Sequence, residues 1–112
     1  MIEQINQLIA QLNVAEAERL TFNKFDNLLN KDGTPLPDWT WHALEKKKFF
    51  HINCGTSGAF MVEKETGELF NIKAYGQIDK NKKLKANLGN LKDIKSQYEA
   101  TILHGKRWNY LR

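Results

Sequence analysis

Near Lys46 the spacing of apolar residues changes, and this change constrains the fold more than any other feature of the chain. Before it, Ile2, Ile5, Leu8, Ile9 and Leu12 recur at intervals of three and four, the period that lines up one face of an α-helix. After it, "KFFHIN" and "AFMVEKETGELFNIKAY" alternate, the period of strands with one face buried. A chain of 112 residues holds material for one core rather than two. The expected architecture is a single α+β domain over 1–112, with an amphipathic helical segment in 1–45 packed on a small antiparallel sheet from 46–112.

Within the first part, Asn13 interrupts the apolar stripe, and Glu16 three places later fits a capping box that would start a second helix. Leu20, Phe25, Leu28 and Leu29 continue an apolar face up to Asp32-Gly33, so either an αα-hairpin or one long bent helix satisfies the pattern. The two prolines of "KDGTPLPDWTW" make it a loop, with Trp39 and Trp41 pinning it to the core and Asp38 capping one helical turn through Leu44. In the second part "CGTSG" reads as a turn and Thr66-Gly67 as the tip of a hairpin. Phe60 and Val62 then share one strand face, as do Phe70 and Ile72. After Gly76 comes a loop with four lysines, followed by a short helix to about Tyr98 capped by Asn90 and Asp93. The end, "ATILHGKRWNYLR", fits a final hairpin or a helix reaching Leu103.

Composition narrows the function classes. Apolar content of 41% and three tryptophans support a modest core without staples, and the single cysteine, Cys54, has no internal partner for a disulfide. No apolar run approaches the ~18 residues that span a bilayer, and the N-terminus lacks the pattern of a secretory leader. A cytoplasmic, reduced setting with no membrane contact is the expectation. Net charge is +4, but residues 1–45 carry three Lys/Arg against seven acids while 46–112 carry fourteen against six. A basic half of this kind suits a polyanionic partner.

Catalytic and metal-binding patterns are weak. In "HINCGTSG", His51 and Cys54 stand three apart, so on a strand they point to opposite faces and form no dyad. "GTSG" lacks the lysine and helix of a phosphate-binding P-loop, and the three histidines have no ligands at metal spacing. The expectation is a non-enzymatic protein with no cofactor and no metal. What stands out instead is lysine beside aromatic: Lys46, Lys47 and Lys48 before Phe49-Phe50; Lys73 near Tyr75; Lys80, Lys82, Lys83 and Lys85; Lys106 and Arg107 beside Trp108. Cations neutralise phosphates and aromatic faces stack on unpaired bases, so Lys73, Tyr75, Lys80, Lys82, Lys83, Lys85, Lys106, Arg107 and Trp108 are the expected contact set for nucleic acid. An acidic surface of a host protein would meet the same charges.

The residues Ser57 to Gly76, "SGAFMVEKETGELFNIKAYG", resemble a hairpin found in small, mostly uncharacterised proteins of bacteriophages and other mobile elements. The matching positions are Ser57, Gly58, Val62, Thr66, Gly67, Glu68, Ile72, Lys73, Tyr75 and Gly76. The resemblance covers less than a fifth of the chain and brings no catalytic residue with it. It implies an accessory protein that acts by binding, either to nucleic acid or to a host effector in the manner of an anti-CRISPR-like inhibitor.

Overall fold

A computed structural model describes residues 2–74, 77–78 and 87–93. Among these residues one α-helix, α1 (Ile2–Phe22), lies across an antiparallel sheet. Four strands, β1 (Trp41–Glu45), β2 (Phe49–Cys54), β3 (Ser57–Glu63) and β4 (Glu68–Ala74), follow one another as a meander. Two short strands, β5 (Gln77–Ile78) and β6 (Asn87–Asn90), both pair with β4. The α+β architecture expected from the change of period is the one observed.

The core lies between α1 and one sheet face. Ile5, Leu8 and Leu12 meet Trp41, Phe50, Ile52, Cys54, Phe60, Val62 and Leu69, and Leu91 closes the far side. The register lines up Phe50, Val62 and Leu69 across three strands, so one buried row serves all of them. Trp41 stacks on Phe60 with ring centroids 5.9 Å apart. Each buried side chain of this size contributes roughly 1.5–3 kcal/mol relative to exposure.

Four local expectations are corrected. Asn13 does not break the helix. α1 runs through it, because the Asn13 carboxamide is engaged sideways: Trp41 N–H donates to its Oδ1 at 2.6 Å and its Nδ2 donates to the Trp41 carbonyl at 3.2 Å. The side-chain amide thus occupies the place that a neighbouring strand's backbone would take. α1 then stops at Phe22, well before Leu29. Lys24 takes a left-handed φ of 60°, Phe25 N–H returns to the Leu20 carbonyl and Lys24 N–H to that of Thr21, which closes the helix in a Schellman turn. Phe25 therefore falls outside the helix, and Asp26–Leu28 form only a 3₁₀ turn.

The helical turn expected from Asp38 to Leu44 is replaced by a 3₁₀ turn at Pro37–Trp39 and by β1. Pairing with β2 and the Asn13 clamp satisfy the backbone better than one isolated helical turn does. Trp41 is pinned in the core as expected, whereas Trp39 is half-buried beneath the Arg19 guanidinium, 5.6 Å from its ring centroid. Finally, the two ends of the lysine loop are strands, and Asn90 precedes a 3₁₀ turn at Leu91–Asp93, accepting from Lys92 N–H at 3.1 Å. The expected helix to Tyr98 and the ending 94–112 lie outside the described residues.

The hairpin at Thr66-Gly67 is observed, with Gly67 at φ 76° and its N–H donating to the Glu63 carbonyl at 2.8 Å. On β3, Phe60 and Val62 face the core; on β4 the core residue is Leu69, so Phe70 turns to the other face opposite Met61. Among the described residues no helix is long and apolar enough to cross a membrane.

Candidate functional site

The antiparallel meander brings two turns together at one end of the sheet. The β1–β2 turn carries Lys46, Lys47 and Lys48, and Lys46 N–H donates to the Phe49 carbonyl at 2.9 Å to close it. The β3–β4 turn lies alongside, tied by Lys64 N–H donating to the Lys48 carbonyl at 3.0 Å. Between them is a groove of about 480 Å³ lined by Lys47, Lys48, Phe49, Glu63, Lys64 and Glu65.

The groove walls are fixed by short-range chemistry. Lys64 Nζ lies 2.7 Å from Glu45 Oε2 and 5.3 Å from the centre of the Phe50 ring, so its ammonium is shared between a carboxylate and an aromatic face. Thr66 Oγ1 donates to Glu63 Oε1 at 2.9 Å. From the other side Asn90 Nδ2 donates to the Thr66 carbonyl at 2.8 Å and Leu91 N–H to that of Gly67 at 2.7 Å. Lys46, Lys47 and Lys48 are exposed and form no ion pair among the described residues. Chemically, the rim offers three cations without an ion pair among the described residues, while Glu63 and Glu65, which also line the groove, disfavour an anion within it.

At the opposite end of the same strands lies a second polar cluster, and it is buried. Glu16, expected to cap a helix, is fully enclosed, its Oε2 2.7 Å from Arg19 Nε and its Oε1 accepting from the Cys54 thiol at 3.5 Å. The signal was in the spacing, since Leu12, Glu16 and Leu20 are four apart and share the buried face. Gly55, next in the chain, has φ 60° and lies against the Asp38 carbonyl, which a Cβ would overlap. His51 sits on the other sheet face in register with Leu44 and Met61, away from Cys54. Burial of its ring, and secondarily the nearby Lys46 ammonium, holds His51 below the ordinary imidazole range. Among the described residues no three of His, Cys, Asp and Glu come together as a metal site.

Of the contact set expected from sequence, Lys73 belongs to β4 by its backbone. Its side chain, together with Tyr75, Lys80, Lys82, Lys83, Lys85, Lys106, Arg107 and Trp108, lies outside the described residues. The described basic rim is therefore Lys46–Lys48, a run visible in sequence whose convergence with Lys64, Glu63 and Glu65 required the strand register. Comparison with protein-family models, with curated proteins and with solved structures finds no match.

Proposed function

We propose that this chain is a non-catalytic binding protein of a phage or other mobile element, acting in the cytoplasm, whose partner is the phosphate backbone of nucleic acid. The observation that carries this reading is the rim of Lys46, Lys47 and Lys48, exposed and unpaired among the described residues. Its weight comes from the rest of the chain: residues 75–112 hold nine Lys/Arg against three acids, while residues 1–74 hold eight against ten. A basic stretch of this kind suits a polyanionic partner.

Binding measured on single- and double-stranded DNA and RNA at two salt concentrations tests it. Each phosphate contact adds roughly 0.7–0.9 to the slope of log K against log salt, so the three rim lysines together account for a slope of about 2 to 3. Replacing Lys47 and Lys48 by Glu should remove at least about two thirds of that share, and Lys80→Glu with Lys83→Glu should remove more. No binding to any of the four at ~50 mM salt refutes the proposal, because that condition favours electrostatic association.

A second reading, inhibition of a host effector protein, is favoured by a specific feature. Phe22 is 86% exposed and Phe25 43% exposed at the end of α1, on the acidic part of the chain. Exposed aromatics are the usual anchors of protein interfaces. Loss of function in Phe22→Ser with the lysine variants unaffected would select this reading.

A further inference from the structure

Phe49 and Glu63 are direct partners across β2 and β3, and just beyond them Lys64 N–H donates to the Lys48 carbonyl at 3.0 Å. That bond makes Phe49 and Glu63 a non-hydrogen-bonded pair, in which Cα atoms approach to about 4.5 Å and side chains stand close together. Phe50 and Val62, the next pair, face the core, so Phe49 and Glu63 share the opposite face. A ring and a carboxylate therefore stand side by side in the groove, with Lys47, Lys48 and Glu65 around them. Phe49 is only half-buried there.

The carboxylate is held in place. Thr66 Oγ1 accepts from Glu68 N–H at 3.2 Å, which leaves its hydroxyl proton for Glu63 Oε1 at 2.9 Å. Glu63 Oε2 and the Glu65 carboxylate accept no hydrogen bond among the described residues. The groove volume of about 480 Å³ lies in the range of small-ligand pockets, roughly 300–1,000 Å³. Such a wall suits a flat, neutral ring with N–H donors on its edge. Two carboxylates disfavour negative charge inside while lysines line the rim, so the ring that fits is one carried on an anion that stays outside. A nucleobase on its phosphate backbone has that form.

We propose that the groove takes one unpaired guanine of a single-stranded nucleic acid; the proposal rests on the nucleic-acid reading and adds the kind of strand and the base. The ring stacks on Phe49, the flanking phosphates meet Lys47 and Lys48, and guanine N1–H and N2–H donate together to the Glu63 carboxylate. Guanine alone sets two donors side by side on that edge. Adenine and cytosine set one amino donor beside a ring acceptor, and uracil and thymine set N3–H between two carbonyls, so each turns a lone pair toward the carboxylate. In a duplex the same edge is taken by the complementary base, which excludes double strands from the groove.

Binding of a labelled thymidine strand of about 12 nucleotides, with and without one central guanine, tests the proposal. The guanine strand should bind about tenfold more tightly, as a bidentate base contact allows. That ratio should persist from ~50 to ~200 mM salt, because a neutral base releases no counterions. Glu63→Gln exchanges one acceptor oxygen for a donor and should bring the ratio to about one without weakening the plain strand. Phe49→Ala should weaken the guanine strand about tenfold through lost stacking. The Glu63 variant carries the test where the Phe49 variant fails to fold. Equal binding of the two strands overturns the guanine site and leaves the phosphate reading standing. So does a guanine preference that Glu63→Gln leaves unchanged, since other residues must then read the base. Binding to neither strand at ~50 mM salt overturns both readings.

Discussion

The two ends of the β1–β2–β3 meander are built on opposite principles. At the Trp41–Cys54 end, polar groups are enclosed and held at several points: Asn13 on Trp41, Glu16 between Arg19 and Cys54, Gly55 against Asp38. At the Lys46–Lys48 end the charges are at the surface, and the ion pair present, Lys64 with Glu45, is largely exposed on the glutamate side. Enclosed polar contacts are expensive to break because the group left behind cannot reach water, while surface charges exchange a protein partner for solvent at little cost. The buried end therefore fixes how α1 sits on the sheet, and the open end is free to meet a partner.

Substitutions at the two ends should separate them by size of effect. Gly55→Ala adds both left-handed strain and overlap with the Asp38 carbonyl, and should lower unfolding free energy by about 3 kcal/mol in a urea titration. Asn13→Ala comes next. It gains roughly 0.6 kcal/mol of helix propensity and loses two hydrogen bonds worth about 1 kcal/mol each, for a net loss of about 1–1.5 kcal/mol. A loss under ~0.3 kcal/mol there would mean water replaces the carboxamide and the end is not closed.

Between the ends, on the outer sheet face, His51 makes stability depend on pH. Its folded-state affinity for a proton is depressed by burial first and Lys46 second, so the unfolded chain binds the proton more readily. The stabilisation is complete above the unfolded value of about 6.5 and is lost as pH falls through the lower folded value. Urea midpoints at pH 7.5 and pH 5 should differ less in His51→Gln than in the parent protein. Smallest of all should be Lys64→Ala at the open end, within about 0.5 kcal/mol of the parent because the pair is solvent-screened. A larger loss would show that the Lys64 stem over Phe50, rather than its charge, closes the core.

Sequence alone determined the parts that depend on neighbours in the chain. The apolar stripe of Ile5, Leu8 and Leu12 specifies a helix face, alternation through Phe50, Ile52, Phe60 and Val62 specifies strands, and Gly67 supplies the positive φ that a tight hairpin requires. The basic rim was legible to the same extent, as a run of three lysines before a strand. Only tertiary structure decided the rest. Asn13 looks like a helix breaker until Trp41, 28 residues away, presents a strand edge to its carboxamide. Trp41–Glu45 becomes a strand rather than a helical turn because β2 pairs with it. Glu16 becomes a buried carboxylate because Arg19 and Cys54 meet it at the end of the sheet. Likewise, Lys47 and Lys48 acquire Glu63 and Glu65 as neighbours only through the register that sets one turn beside the other. The local capping preference of Asn13 and Glu16 is overridden by the backbone and charges that the fold brings within hydrogen-bond reach, and apolar periodicity does not encode that proximity.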